Sequence, residues 1–331
     1  MKPNTCFKEL FIVFVLFISG CDSDIYKDAT IINDIDFVKT DTFIYNGIID
    51  VGVLSVDRMM KADNYYVISA NSPTDIIHVY DKNFHMIASW GDKGRAANEF
   101  VMPQLCGISD STITILDNGK KEIMIFDYAG NLMEKIGTKG MLYQQCKELN
   151  PGTFLLEYKT HHSLSLYSTS NLDKPIFDFP RYAKVYKDPD VYFGFLEVSR
   201  EKQTIVYVHQ YLRSIVLLNY DGTIKKVIKR EPSKEDIGNK GEFDTSNSIT
   251  YYWGVQILKN SFIVYSINKR ATEIMNDYNQ NVEFEEYDFD GNPIRKIIIN
   301  RFISSFCVDG DKIYGELPDE ENGLGVFTKK Y

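Results

Sequence analysis

Residues 123–136 read IMIFDYAGNLMEKI: an apolar run, a short polar turn, and a second run in which apolar and polar residues alternate. Alternation with a period of two is typical of a β-strand that has one buried face. Asp127, Gly130 and Asn131 are residue types that accept the backbone angles of a tight turn between antiparallel strands. The stretch therefore predicts a β-hairpin.

Similar stretches recur along the chain. The last apolar residue before each turn is Tyr80, Phe126, Tyr167, Leu218 or Tyr287, at spacings of 46, 41, 51 and 69 residues. A repeat of about 45 residues that contains several strands is typical of the blades of a β-propeller. We therefore predict an all-β fold, a six-bladed β-propeller with four antiparallel strands in each blade.

The predicted blades cover residues 50–91, 104–138, 144–180, 193–230, 251–299 and 302–330. The last blade is short of an outer strand, and residues 35–44 have the alternation to supply it. This N-terminal strand is therefore predicted to close the ring, which would protect the strand edges. Polar segments 230–248 and 269–280 are interpreted as loop insertions. Splitting 230–299 into two blades would give a seven-bladed ring, an alternative that the pattern favours less.

Composition narrows the class of protein. The 331 residues are 44% hydrophobic and 25% charged, which is ordinary for a globular protein and excludes a mainly disordered chain. The 46 acidic and 37 basic side chains give a net charge of -9. This argues against a nucleic-acid partner, because phosphates need a basic face. The 22 Tyr and 21 Phe favour β-structure.

The N-terminus predicts export. Lys2 and Lys8 precede an uninterrupted apolar run at residues 10–18, which is typical of a secretory signal peptide and too short to span a bilayer. The run ends in Ile18-Ser-Gly-Cys21, which resembles the lipobox of bacterial lipoproteins. The resemblance implies cleavage before Cys21 and a lipid on that cysteine. An ordinary signal peptide followed by an incidental cysteine is the alternative.

The residues after the cysteine, Asp22-Ser-Asp24, resemble the surface-export signal of Bacteroidota lipoproteins. That resemblance implies an outer-membrane lipoprotein, with exposure at the cell surface favoured over the periplasm. The chain is accordingly divided into a signal peptide (residues 1–20), a tether (21–34) and a single propeller domain (35–331).

A second resemblance concerns the fold. Residues 90–103, WGDKGRAANEFVMP, resemble the turn between blades in NHL repeats, although Ala96 and Asn98 stand where that family usually has glycine. Together with the lipobox, the whole chain resembles the six-bladed TolB-like or NHL-like propeller lipoproteins of Bacteroidota.

Motifs for catalysis are missing from the sequence. It contains no Gly-x-Ser-x-Gly, His-Glu-x-x-His, phosphate-binding loop or Cys-x-x-Cys. The acidic stretches 285–291 and 319–323 could suggest calcium, but a turn and a solvated loop are the favoured interpretations. No cofactor is therefore predicted, with calcium left open. Cys106, Cys146 and Cys307 are interpreted as small buried hydrophobic residues.

Candidate binding residues come from the predicted topology. In a propeller, the loops between the second and third strands of each blade lie on one face, together with the crossings between blades. A polar rim there can arise without function; the functional interpretation is a concave mouth that binds a polar ligand. The candidates are Lys121, His161, His162, His209, Tyr211, Arg213, Trp253 and Arg270.

These features predict a non-enzymatic module, held to the membrane through lipid on Cys21, that binds an envelope protein, a peptide or a glycan. The alternative is a metal-dependent, lactonase-like hydrolase or lyase with its site at the central channel, because related six-bladed propellers include such enzymes. A third hypothesis is an accessory part of an outer-membrane complex.

Overall fold

The computed structural model describes residues 24–53, 55–160, 164–179, 186, 188–231, 243–245, 247–320 and 323–330. Within these ranges the chain forms 25 β-strands and a short α-helix, Ala271–Asn276 (α1). The two N-terminal strands are Thr30–Ile32 (β1) and Lys39–Asp50 (β2). No helix in the described ranges is long and apolar enough to cross a membrane.

Four sheets of four antiparallel strands follow one another along the described chain. The first sheet contains Val56–Lys61 (β3), Tyr65–Ala70 (β4), Ile77–Asp81 (β5) and Met86–Trp90 (β6). The second contains Pro103–Ile108 (β7), Thr112–Asp117 (β8), Glu122–Asp127 (β9) and Leu132–Gly137 (β10). The third contains Tyr143–Asn150 (β11), Thr153–Lys159 (β12), Leu164–Ser168 (β13) and Phe177–Asp178 (β14). The fourth contains Gly194–Ser199 (β15), Thr204–His209 (β16), Ser214–Asn219 (β17) and Ile224–Arg230 (β18), and β1 adds to it in parallel beside β18.

The remaining strands form one sheet of eight. They are Ile249–Ile257 (β19), Ser261–Arg270 (β20), Val282–Asp288 (β21), Pro293–Ile299 (β22), Phe306–Asp309 (β23), Lys312–Glu316 (β24) and Gly323–Lys329 (β25), joined by β2. The first half of β2 pairs in parallel with β22, and the second half pairs antiparallel with β25. The β2 strand therefore joins two groups of strands that are separate in sequence.

This arrangement is propeller-like and all-β, as predicted, but it is not six separate blades. The described chain contains three four-stranded sheets, one sheet of four strands extended by β1, and one eight-stranded sheet. The count differs because β2 is 12 residues long and hydrogen-bonds on both sides, so no gap separates β22 from β25. A strand of that length can hydrogen-bond to two neighbouring strands, and its alternation of apolar and polar residues alone did not predict this pairing.

The predicted hairpins are confirmed, and those around Asp127 and Asp288 share one turn chemistry. Asp127 accepts the backbone N–H groups of Ala129 and Asn131 at 2.9 and 2.8 Å, between β9 and β10. Asp288 accepts from Asp290 and Asn292 at the same distances, between β21 and β22. An aspartate that caps its own turn in this way stabilises the hairpin locally. Local chemistry of this kind explains why the turns could be predicted.

Aromatic side chains fill the space between sheets. Phe100 belongs to the segment that connects β6 to β7, and its side chain is fully buried. Its ring lies 6.2 Å from that of Trp90 in the first sheet and 5.7 Å from that of Phe126 in the second. The stretch 90–103 is therefore a connection between consecutive sheets, and its aromatic residues pack them together.

The N-terminal segment is part of the folded body. Ile25 and Tyr26 are buried, although residues 21–34 were assigned to a tether. The fully buried Arg230 donates from Nε to Glu285 at 3.0 Å and from Nη1 to the carbonyl of Ile32 at 2.9 Å. Buried charge needs such partners. The N-terminal segment is therefore held against the body by the hydrogen bond that its Ile32 carbonyl accepts from Arg230.

Candidate functional site

A cavity of about 690 Å³, partly open to solvent, lies between the sheets. Strands β3, β7, β11, β15 and β19, together with residues 304–307 at the start of β23, line it. Each of the first five is the first strand of its sheet or group, and consecutive ones are in contact; β23 contacts β3. The volume is typical of a small-ligand site, for which the usual range is about 300–1,000 Å³.

Glutamine side chains connect these inner strands. The first strand of a sheet is an edge, so its outer backbone groups need partners. Gln145 on β11 donates to the carbonyl of Gly194 at 2.9 Å and accepts from the N–H of Leu196 at 3.0 Å. Gln256 on β19 likewise donates to the carbonyl of Val308 at 2.9 Å and accepts from the N–H of Val308 at 2.7 Å. The amides replace a missing neighbouring strand and hold the cavity wall.

Three charged side chains meet in the cavity. Lys147 on β11 forms an ion pair with Glu197 on β15. Arg58 on β3 reaches the same carboxylate, with Nη2 at 3.5 Å from Oε1, and donates from Nη1 to the carbonyl of Leu105 at 3.2 Å. Burial and the nearby positive charge of Arg58 lower the pKa of Lys147, although Glu197 opposes the shift. Two cations thus share one carboxylate.

Two further ion pairs involve side chains that line the cavity. Lys61 lies 3.2 Å from Asp309, and Arg200 lies 3.0 Å from Glu148. Each cation has one carboxylate, so these pairs are balanced. The cluster of Arg58, Lys147 and Glu197 differs from them in carrying an excess positive charge.

The rest of the wall combines aromatic rings and amides. Phe193, Phe195, Trp253 and Phe306 are partly exposed and line the cavity. Trp253 donates its indole N–H to the carbonyl of Ser304 at 2.8 Å, which fixes the orientation of its ring. Aromatic faces and amide groups together suit a ligand that has both apolar and hydrogen-bonding surfaces.

The three cysteines of the described chain are buried thiols, as predicted. Cys106 on β7 and Cys146 on β11 interact with each other, and Cys106 lines the cavity. Burial opposes ionisation of both thiols and raises the pKa of Cys146 well above its usual range. At Cys106, the hydrogen bond with Cys146 and the charges of Lys147 and Arg58 outweigh burial and lower the pKa.

Of the predicted binding residues that the structure describes, only Trp253 lines the cavity. Lys121 is exposed in the turn between β8 and β9, and Arg270 donates from Nε to the carbonyl of Asn247 at 2.8 Å. Arg213 is partly buried beside β18, where its carbonyl accepts from the N–H of Arg230. Tyr211 is buried, with its ring 4.8 Å from that of Phe243.

His209 is not at a surface. Its side chain is fully buried, with Nδ1 donating to the carbonyl of Tyr192 at 2.9 Å and Nε2 accepting from the hydroxyl of Tyr26 at 2.7 Å. Burial lowers its pKa to about 3, so the imidazole is neutral at physiological pH. The N-terminal segment that carries Tyr26 covers it, which the sequence did not indicate. His161, His162 and Cys21 lie outside the described residues.

Described carboxylates in the acidic stretches considered for calcium are engaged with protein groups. Glu285 is fully buried and accepts from Arg230 and from the hydroxyl of Tyr287 at 2.6 Å. Asp319 lies 2.8 Å from the guanidinium of Arg301. In the part of the chain that the structure describes, no group of three or more His, Cys, Asp or Glu is arranged to hold a metal ion.

Sequence reasoning missed Arg58, Lys147 and Glu197. It considered the loops at one face of the ring, whereas these side chains come from the first strands of three sheets. A usable signal was present: in residues 56–61 and 143–148, charged side chains interrupt apolar strands that directly follow a connection between sheets. In a ring of sheets, such first strands face the centre.

Fold and cavity together define a propeller-like all-β protein with a central site of small-ligand size. No protein-family model matches the sequence, and no curated protein matches it. The fold is similar to a member of the DUF4221 family from Bacteroides vulgatus ATCC 8482, at 11% identity and a TM-score of 0.59, over 87% of this chain and 97% of that one. It is also similar to a protein from Bacteroides fragilis NCTC 9343 whose name describes it as exported. There the identity is 13% and the TM-score 0.57, over 91% of this chain and 99% of that one.

Proposed function

We propose that this protein is an exported, lipid-anchored β-propeller that binds a peptide, a glycan or a segment of an envelope protein in its central cavity without chemically transforming it. The observation that carries the proposal is the cavity of about 690 Å³ enclosed by inner strands from every part of the ring. The mixture of aromatic rings, amides and charges on its wall supports a ligand with both apolar and polar groups.

The proposal includes a finer description of the ring. The eight-stranded sheet corresponds to two blades that share β2, which gives six blade positions and lets the N-terminal strand close the ring. Six inner strands around one cavity support this description. The connection at residues 90–103 supports a TolB-like or NHL-like blade order, because it links an outer strand to the next inner strand.

Binding is proposed in preference to catalysis because the carboxylates of the cavity are engaged with other protein groups. Glu148 and Glu197 are both in ion pairs, and Asp57 accepts a hydrogen bond from the hydroxyl of Ser69 at 3.2 Å. Side chains fixed in this way form a preorganised wall, which favours binding by limiting the loss of conformational entropy.

The anchor is proposed to be lipid on Cys21 at the outer membrane, with the body exposed at the cell surface. Ile25 is already packed into the body, only four residues beyond Cys21. At roughly 3.6 Å per residue, the lipid would hold the body within about 15 Å of the membrane surface. In cell fractionation, we expect the wild type in the detergent-rich membrane phase and Cys21→Ala in the aqueous phase. Equal partition of the two would contradict lipid anchoring.

A pair of glycine substitutions tests the cavity. Gly107 on β7 lines it, and a Cβ added there would meet no atom within 4 Å. The backbone at Gly107 therefore has room for a Cβ atom, and Gly107→Trp is designed to place a large side chain in the cavity. Gly137, the last residue of the outer strand β10, has equally open surroundings and is exposed, so Gly137→Trp is a matched control.

The measurement is binding of fluorescently labelled protein to arrays of glycans and peptides. We expect Gly107→Trp to lose at least about tenfold in affinity for any ligand that the wild type binds, which corresponds to about 1.4 kcal/mol. Gly137→Trp should bind like the wild type. If Gly107→Trp keeps full affinity for the same ligands while its circular dichroism is unchanged, the cavity is not the binding site.

A further inference from the structure

The cluster of Arg58, Lys147 and Glu197 has features of an incomplete ion-pair network. The side chain of Lys147 is only 3% exposed, and those of Glu197 and Arg58 are 16% and 26% exposed. The three residues come from the third, fourth and first sheets, so their meeting point lies inside the ring. Their charges sum to one positive unit in a partly desolvated place.

An excess buried charge is costly unless a counter-charge accompanies it. Of the other carboxylates that line the cavity, Glu148 pairs with Arg200, whereas Asp57 accepts from the neutral hydroxyl of Ser69 and, in the described chain, forms no ion pair with Arg58 or Lys147. An anion from outside the chain would therefore complete the network. The cavity supplies the space for it, since all three side chains are part of its wall.

The donor geometry favours a carboxylate. A guanidinium presents a planar fork of N–H groups that matches two carboxylate oxygens, and an adjacent ammonium adds a charge-assisted hydrogen bond. Glu197 shows how a carboxylate is received here, because it already contacts both cations. A second carboxylate beside Arg58 and Lys147 would give this cluster two cations and two anions.

We propose that Arg58 and Lys147 form a subsite for the carboxylate of an anionic ligand in the central cavity, a statement that rests on the proposed binding function and names its ligand chemistry. Two sources carry this group: a uronic acid unit of a glycan and the C-terminus of a peptide. The partly exposed rings of Phe195, Trp253 and Phe306 and the amide of Gln104 line the same cavity and offer surfaces that either source can use.

Isothermal titration calorimetry with defined probes tests the subsite. The probes are trigalacturonic acid, the neutral trisaccharide galactotriose, a tripeptide with a free C-terminus and the same tripeptide amidated. We expect binding by at least one carboxylate probe and at least about tenfold weaker binding by its neutral counterpart, as the strength of charge-assisted hydrogen bonds implies. The pair that shows this difference identifies the source of the carboxylate.

Two lysine variants test whether the carboxylate probe binds at Lys147. Lys147→Met leaves Arg58 and Glu197 as a balanced pair, so the fold is expected to persist while the affinity for the carboxylate probe falls by about tenfold or more. Lys135→Met is the matched control, because Lys135 on the outer strand β10 is paired with Glu122 at 3.2 Å and does not line the cavity. It should bind the probe within about twofold of the wild type.

The outcomes separate this inference from the proposed function. If no carboxylate probe binds, or if Lys147→Met binds as tightly as the wild type, the carboxylate subsite is overturned. A neutral ligand that binds the wild type and is blocked by Gly107→Trp would still support the proposed function. If Gly107→Trp binds that neutral ligand as tightly as the wild type does, the proposed function itself is contradicted.

Discussion

Glu157 on β12 is a carboxyl group whose titration reports on the interior. It is fully buried, accepts from the hydroxyl of Tyr207 at 2.7 Å and is hydrogen-bonded to the amide of Gln145. Burial raises its pKa from about 4.5 to about 7, although both hydrogen bonds oppose the shift. Gln145 also holds the backbone of β15, so this carboxyl group lies directly behind the cavity wall.

The raised pKa predicts a pH-dependent stability. Between about pH 4.5 and 7 the folded carboxyl group keeps its proton while the unfolded one loses it, so the free energy of unfolding falls as the pH rises. The loss from this group is of the order of 3 kcal/mol above pH 7. Glu157→Gln retains the shape without the charge, so its stability should fall less than that of the wild type between pH 4.5 and 8.

Urea unfolding at several pH values measures this difference. His209 contributes with the opposite sign, because its pKa of about 3 makes the folded state lose stability as the pH falls from about 6.5. That contribution is common to the wild type and to Glu157→Gln, so it cancels when the two are compared. Parallel stability curves for the two proteins would show that Glu157 ionises normally in the folded state.

At the scale of elements, β2 is the strand on which the largest sheet depends. Phe43 is the residue at which its pairing changes, being opposite Ile299 in β22 and opposite Lys329 in β25. The Phe43 side chain is fully buried in the core of this sheet, whereas that of the next residue, Ile44, is 42% exposed. The two neighbours therefore offer a direct comparison of burial within one strand.

Phe43→Ala is expected to lower the free energy of unfolding by about 3–5 kcal/mol, because it removes a large buried side chain and leaves a cavity. Ile44→Ala should cost less than about 1 kcal/mol, since exposed positions make few contacts. Equilibrium unfolding in urea, followed by tryptophan fluorescence and circular dichroism, checks both values. If the two variants lower the free energy of unfolding equally, burial of Phe43 in β2 does not stabilise the sheet.

At the scale of the whole molecule, the propeller-like fold brings together groups that are far apart in the chain. Arg58, Lys147 and Glu197 come from three different sheets and meet in one cavity. Residues 24–32 close over the fourth sheet, where Tyr26 reaches His209 and Arg230 holds the carbonyl of Ile32. The proposed binding function belongs to this scale, because no single sheet contains the site.

Much of the strand pattern was predictable from the sequence. The hairpins around Asp127 and Asp288 were found because an aspartate, a glycine and the flanking alternation act within a few residues. The cavity cluster was not found, since nothing in the local pattern of residues 143–148 says which strand of another sheet lies opposite. The predicted binding residues did not include this cluster, because they were chosen from loops and crossings and not from the first strands of the sheets.

The sequence by itself determined the all-β class, the tight turns and the recurring hairpins, because period-two alternation and turn chemistry operate between near neighbours. Only the tertiary structure decided that β2 joins two strand groups into one sheet, that Tyr26 covers His209, and that two cations share one carboxylate at the centre. These are contacts between distant residues, and their energies depend on burial and on partners that local sequence does not specify.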